Sequence, residues 1–158
     1  PIYNLDQKIR EVAKNQVPNN SSYNRDIAKV NILKNNFIGS FNDTFNALDQ
    51  QRIIACVPAS IRALHNAALL KKEANTLYEK SSSSPVYNYA RIQKELADNA
   101  FNTLSELTPK LYKRAIDAIK GNDKNLEEAL YYEKLNEFDM KNCPQYNTNK
   151  PLIFKNDL

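Results

Sequence analysis

Residues 58–80, PASIRALHNAALLKKEANTLYEK, decide the fold. Small and apolar side chains recur there at steps of three and four residues, which is the period of one face of an α-helix. The series is Ala63, Ala67, Leu70, Ala74 and Leu77. Because most of these side chains are small, a neighbouring helix can approach closely. The serine-rich stretch 81–85, SSSSP, follows at once, and a serine before a proline favours the start of another helix.

The same period continues towards the N-terminus. An apolar stripe in residues 25–55 predicts one helix, or two helices separated at Gly39, since a single glycine costs only about 1 kcal/mol relative to alanine. The stripe comprises Ile27, Val30, Leu33, Phe37, Phe41, Phe45 and Leu48. Residues 5–17 form a shorter periodic segment, which Asn4 is expected to cap and Pro18 to end.

Towards the C-terminus we expect separate helices over residues 85–107 and 109–120, because Pro109 favours a helix start. A sixth periodic segment covers residues 125–140. No alternating β pattern with hairpin dipeptides occurs. The sequence therefore predicts an all-α, single-domain antiparallel bundle of five to six helices over residues 1–142, with an extended C-terminal tail, 143–158, packed on the bundle.

Composition argues against most enzyme classes. The 158 residues include two glycines, one histidine and no tryptophan, and the spacings of phosphate-binding loops, nucleophile elbows and metal sites are absent. We expect no enzymatic activity, no cofactor and no metal. The net charge is +4, with acids and bases interleaved, which argues against a nucleic-acid-binding face. No apolar run approaches the ~18 residues of a membrane span, so no transmembrane segment is expected.

Two cysteines are the main chemical clue. Cys56 and Cys143 lie near the ends of predicted helices, the count is even, and the chain begins at Pro1 rather than at methionine. These features favour a disulfide and a secreted, extracellular protein. In the chain-entropy model such a bond contributes about 4–5 kcal/mol. The alternative is two buried free thiols in a cytosolic protein.

Candidate glycosylation sites agree with secretion. Asn19, Asn20 and Asn42 each begin an Asn-X-Ser/Thr acceptor sequence. Asn19 and Asn20 fall in the predicted loop after the first helix, where a glycan can be added more easily.

Aromatic and basic residues supply two candidate sites. Bulky phenylalanines opposite the alanine-rich helix either fill the core or leave an apolar pocket between helices. The residues of that pocket would be Phe37, Phe41, Phe45, Tyr78, Tyr89 and Tyr112. Lys110, Lys113 and Arg114 form a candidate anion patch. The favoured alternative is that this basic segment lies antiparallel to the acidic segment 125–140, with complementary charges along their rims.

The leading functional hypothesis is a secreted, disulfide-closed helical binding protein that acts by contact with a protein partner. One alternative is a carrier of a small hydrophobic ligand in the bundle interior. Another is an intracellular helical scaffold or effector with free thiols.

Overall fold

The computed structural model describes residues 2–120, which form four helices. Helix α1 spans Ile2–Ala13, α2 Asn24–Asp49, α3 Ile53–Lys80 and α4 Ser84–Lys120. This confirms the all-α prediction for the described part of the chain. The predicted count of five to six helices is not reached in residues 2–120. The sixth predicted segment, the tail, and the boundary between residues 142 and 143 lie outside the described residues.

Consecutive helices run antiparallel. Helix α3 is central and packs against both α2 and α4, while α1 lies against α4 and α2. Ion pairs cross both sides of α3: Lys29 Nζ lies 2.9 Å from Glu73 Oε1 on one side, and Lys71 Nζ lies 3.2 Å from Asp98 Oδ1 on the other. The short α1 therefore closes the groove between the parallel helices α2 and α4.

Helix α1 begins and ends earlier than predicted. Its buried side chains, Ile2, Leu5, Ile9 and Val12, follow the helical period and form one face. Because the helix already starts at Ile2, Asn4 lies in its first turn, and its predicted capping role is wrong. The helix ends at Ala13, four residues before the predicted end, since no further apolar residue on that face is buried.

Helix α2 is continuous through Gly39, so the two-helix alternative is wrong. A methyl group added at Gly39 would meet no atom within 4 Å. The helix ends at Asp49, before a turn in which Gln51 has a φ of 58° and the Arg52 amide donates to the Ala47 carbonyl at 2.8 Å. The predicted helix over residues 25–55 is therefore wrong at its C-terminal end, and residues 53–55 belong to α3.

Helices α3 and α4 each run through an internal proline, which corrects two predicted boundaries. Pro58 and Pro109 were expected to begin helices, yet each lies inside one. An interior proline costs about 3 kcal/mol, but buried apolar side chains lie on both sides of each proline: Cys56, Val57 and Ile61 around Pro58, and Leu104 and Leu111 around Pro109. The buried Ser60 and Thr108 hydroxyls, 2.6 Å apart, join the two helices at this level.

The core has two parts. In the first, which we call the four-helix region, all four helices contribute fully buried side chains around Phe37, Phe41 and Leu70. In the second, which we call the three-helix end, the contributing residues within 2–120 come from α2, α3 and α4. The buried residues of the three-helix end are Ala47, Cys56, Val57, Ile61, Leu111, Tyr112, Ala115 and Ile116.

Helix α3 is the only helix in residues 2–120 that is long and apolar enough to cross a membrane. Its most apolar 18-residue window has a mean hydropathy of 1.5, and 61% of that window is buried in the bundle. Packing between α2 and α4 accounts for this composition, because a helix surrounded by others is apolar on most of its faces. A search for uninterrupted apolar runs missed this window, because isolated polar residues divide it.

Candidate functional site

Two tyrosines stack at the apex where α3 turns into α4. The rings of Tyr78 and Tyr87 lie 4.6 Å apart at an interplanar angle of 30°, and their hydroxyls are 2.7 Å apart. Lys94 Nζ lies 4.9 Å from the Tyr78 ring centroid in a cation–π contact. Tyr87 is 38% exposed although it is a large aromatic residue. We call Tyr78, Tyr87 and Lys94 the tyrosine surface.

Tyr23 fixes the loop beside this surface. Its hydroxyl accepts a hydrogen bond from the Ser82 amide at 3.1 Å and lies 3.2 Å from Ser82 Oγ and 3.3 Å from the Lys80 carbonyl. These hydrogen bonds with Ser82 lower the pKa of Tyr23, although desolvation opposes them. Lys80 Nζ also pairs with Asp26 Oδ2 at 2.6 Å. The start of α2 therefore holds the end of α3 and the following loop in place.

The hydrogen bond between the two stacked tyrosines also changes the pKa of Tyr87. It is the main cause that raises the pKa of Tyr87, with Arg91 and Lys94 acting in the opposite direction. The Tyr87 hydroxyl therefore stays protonated at neutral pH and remains able to donate and accept hydrogen bonds.

Cys56 lies within the three-helix end rather than at an exposed helix edge. Its side chain is fully buried, and Sγ lies 3.5 Å from the Thr44 carbonyl oxygen. Burial raises the pKa of the thiol to about 11, and Arg114 opposes the shift. Cys56 has no disulfide within residues 2–120, and Cys143 lies outside the described residues.

The predicted pocket residues occupy several separate places. Phe37 and Phe41 are fully buried in the four-helix region, and Phe45, half-buried beside them, stacks on Phe41 at 6.2 Å between ring centroids. Tyr78 belongs to the tyrosine surface. Tyr89 is buried in the four-helix region, whereas Tyr112 is buried in the three-helix end.

The candidate anion patch is a solvent-exposed face near the end of α4. Lys110, Lys113 and Arg114 are all exposed and form no ion pair with another described residue. Asp117 is also exposed on this stretch. Exposure alone does not indicate an anion site, since an ordinary charged surface has the same appearance.

The candidate glycosylation residues differ in their accessibility. Asn19 is exposed in the loop between α1 and α2, whereas the Asn20 side chain accepts a hydrogen bond from the Ser22 amide at 3.0 Å. Asn42 is exposed but lies in the middle of α2. Asn19 is therefore the most open of the three acceptors.

A cavity lies between that loop and the first turns of α4. Its volume is about 450 Å³, and its lining includes Asn15, Asn19, Asn88, Tyr89 and Ile92. A smaller cavity of about 150 Å³ lies between Ile2 and Lys110. No group of three or more potential metal-ligating side chains occurs among the residues the structure describes.

Sequence reasoning missed Tyr87 and Lys94. Tyr78 and Tyr87 are nine residues apart, on either side of the serine-rich loop, and only the antiparallel register of α3 and α4 brings their rings together. Two tyrosines flanking a predicted tight loop between helices were the available signal.

Comparison with known protein families, curated proteins and solved structures gave no match.

Proposed function

We propose that this chain is a helical binding protein that contacts a protein partner through the tyrosine surface. The observation that carries the proposal is the stacked, partly exposed pair of Tyr78 and Tyr87 at the apex of the bundle. Tyrosine is enriched in protein interfaces because its ring provides apolar contact area while its hydroxyl provides a hydrogen bond.

The pair is already ordered before any partner arrives. Immobilising a flexible side chain on binding costs about 0.5–1.5 kcal/mol. Here ring stacking, the hydroxyl–hydroxyl contact and the Lys94 ammonium group all restrict the side chain of Tyr78. Tyr23 restricts the adjacent loop through its contacts with Ser82. A partner would therefore meet a rigid surface at a small entropic cost.

The charged side chains beside the tyrosine surface indicate the chemistry that a partner would need. Arg91 pairs with Glu95 at 3.3 Å, and Lys80 pairs with Asp26. Lys94 forms no ion pair within residues 2–120, so its positive charge is available beside the tyrosine rings. We infer that the partner presents an acidic side chain next to an apolar residue that contacts Tyr87.

We further propose that the protein is extracellular and that Cys56 and Cys143 form a disulfide. Both parts of this proposal are supported by the sequence alone. The buried thiol of Cys56 requires that Cys143 approach the three-helix end closely, since bonded cysteines have Cα atoms roughly 4.4–6.8 Å apart. The intracellular scaffold with free thiols is the rival. The hydrophobic carrier gains no specific support from the placement of Phe37 and Phe41, which pack in the core.

Affinity capture with matched variants tests the proposal. The wild-type chain, Tyr87→Ala and Lys94→Glu are immobilised and exposed to extracellular fluid from the source, and bound proteins are quantified by mass spectrometry. We expect at least one protein to be retained by the wild type and reduced about tenfold or more by Tyr87→Ala, since truncating an interface hot spot costs about 2 kcal/mol or more.

Tyr3→Ala is the matched control. Tyr3 is 67% exposed and makes an edge-to-face contact with Phe45, away from the apex. A captured protein that both tyrosine variants lose equally, or that neither loses, contradicts the proposal. Circular dichroism of all three variants shows that the bundle is intact before binding is compared.

A further inference from the structure

The stacked pair of the tyrosine surface has a geometry in which its two rings can be joined covalently. The ring centroids of Tyr78 and Tyr87 lie 4.6 Å apart at an interplanar angle of 30°, and the two hydroxyl oxygens lie 2.7 Å apart. Because the oxygens are closer than the centroids, the rings converge towards their hydroxyl ends. The Cε carbons, which neighbour the hydroxyl-bearing carbon of each ring, lie at this converging end, and they are the carbons through which two tyrosines couple.

Two further contacts hold the pair in this geometry. Tyr78 lies in the last turn of α3 and Tyr87 in the first turn of α4, so they stand on two helices joined by a short loop. Tyr23 fixes that loop by accepting a hydrogen bond from the Ser82 amide at 3.1 Å. Lys94 Nζ restricts the Tyr78 ring from 4.9 Å. Groups that are already held in contact react as if at very high concentration, because the reaction has no orientation left to impose.

We propose that Tyr78 and Tyr87 form a site of oxidative crosslinking, at which a haem peroxidase and hydrogen peroxide join the two rings as dityrosine. Tyr87 is 38% exposed, so a one-electron oxidant can reach it, whereas Tyr78 is half-buried. The other ring contacts between described residues each include a phenylalanine, which has no hydroxyl hydrogen to lose.

The hydrogen bond between the hydroxyls gives the half-buried ring access to the oxidant. Removal of one electron and one proton from Tyr87 leaves a phenoxyl radical, with its unpaired electron shared between the oxygen and the ring carbons. Transfer of a hydrogen atom from the Tyr78 hydroxyl across the 2.7 Å contact restores Tyr87 and moves the radical to Tyr78. A second oxidation of Tyr87 then places two radicals side by side.

Coupling of the two radicals completes the reaction. A bond forms between one Cε carbon of each ring, and the hydrogen on each joined carbon moves to the oxygen of its own ring, which restores both aromatic rings. Each crosslink removes two hydrogen atoms from the protein in all. These reduce one molecule of hydrogen peroxide to two molecules of water.

Reaction of the dilute, purified full chain with a haem peroxidase and hydrogen peroxide tests the proposal. We expect dityrosine fluorescence and a monomer that is lighter by two hydrogen atoms. Trypsin cleaves after Lys72, Lys80 and Arg91, so mass spectrometry should find the peptide 73–80 joined to the peptide 81–91. Crosslinked monomers should exceed crosslinked dimers about tenfold or more, because oriented groups within one molecule react far faster than separate molecules.

Conservative variants identify the two rings. Tyr78→Phe and Tyr87→Phe each keep both rings but remove one hydroxyl, and each should abolish the joined peptides. Tyr89 is also in the peptide 81–91 but is only 4% exposed, so Tyr87→Phe shows which of the two tyrosines is joined. Tyr3→Phe is the matched control and should crosslink like the wild type, because Tyr3 is 67% exposed and its ring contacts Phe45 rather than a tyrosine. Circular dichroism confirms that all three variants are folded.

Three results would overturn the proposal: no dityrosine in the wild type, crosslinks only between molecules, or joined peptides that persist in Tyr87→Phe. The reaction uses the isolated chain and does not rest on the proposed protein partner, although the two proposals share residues. A partner that Tyr87→Ala fails to capture is lost whether or not the wild-type rings couple. Failure of one proposal therefore leaves the other standing.

Discussion

The four-helix region and the three-helix end are built from the same three long helices but differ in what closes them. In the four-helix region, α1 covers the groove between α2 and α4 with Ile2, Leu5, Ile9 and Val12. At the three-helix end this cover is absent among residues 2–120, and Ile53 and Ile54 remain only half-buried at the edge of the cluster. The comparison teaches that, within residues 2–120, the twelve residues of α1 decide where the core is enclosed on every side.

Replacing a buried leucine by alanine in each of the two regions should cause the largest losses in the free energy of unfolding. Leu104 and Leu111 lie on the same helix, at 0% and 1% exposure, in the four-helix region and the three-helix end respectively. We expect Leu104→Ala to cost about 4–5 kcal/mol, because a fully enclosed site cannot collapse into the cavity, and Leu111→Ala about 2–3 kcal/mol. Urea unfolding followed by circular dichroism measures both. Equal losses would show that the three-helix end is enclosed as completely as the four-helix region.

Alkaline pH should destabilise the three-helix end of the reduced protein. Burial raises the pKa of Cys56 from 9.0 to about 11, so the unfolded chain releases the thiol proton first as the pH rises above 9. The free energy of unfolding then falls between pH 9 and pH 11, by up to about 2–3 kcal/mol. Below pH 9 the thiol is protonated in both the folded and the unfolded protein, so it contributes no pH dependence to the free energy of unfolding.

Cys56→Ala is the control for this titration, because it removes the thiol and keeps the helix. Urea unfolding of reduced wild type and Cys56→Ala is compared at pH 8, 10 and 11. Parallel behaviour of the two proteins would contradict the buried-thiol interpretation. A separate experiment alkylates the natural protein under denaturing conditions without a reductant. If both cysteines are alkylated, the proposed bond between Cys56 and Cys143 is excluded.

The hydroxyl contact between α3 and α4 should have a smaller effect on the free energy of unfolding. Ser60→Ala removes one of two buried hydroxyls that lie 2.6 Å apart and leaves Thr108 unpaired, which should cost about 1–3 kcal/mol. Adding Thr108→Val removes the unpaired hydroxyl with little change of shape, so the double variant should be less destabilised than the two single losses added together. Thermal unfolding of the four proteins in this cycle measures the coupling. Simple additivity would show that the two hydroxyls do not interact.

The all-α fold could be predicted because the apolar stripes are long and regular. The stripe from Ile27 to Leu48 corresponds to the buried and half-buried face of α2, and the predicted end of the third segment at Lys80 is the end of α3. The helix boundaries at Pro58 and Pro109 were wrong because local proline chemistry was given more weight than burial on both sides of each proline. The turn at Gln51 was missed because neither glycine nor proline marks it.

The candidate site could be predicted only in part. Tyr78 was predicted only as a residue of an apolar pocket, and its actual partner Tyr87 depends on the register between two helices, which periodicity does not specify. The cavity beside Asn19 depends on how a loop without regular structure packs against α4. Gln93 gives no sequence signal at all, because a glutamine in a helix is ordinarily on the solvent side, whereas here it is fully buried.

The two internal prolines have a mechanical consequence. Proline has no amide hydrogen, so the carbonyl groups of Ile54 and Ser105, four residues before Pro58 and Pro109, receive no backbone hydrogen bond of the usual helical kind. The paired hydroxyls of Ser60 and Thr108 show that these weakened turns adjoin each other in the bundle. Two adjacent helices therefore each lack one backbone hydrogen bond at the same level of the bundle, and a bend in either helix would form most easily there.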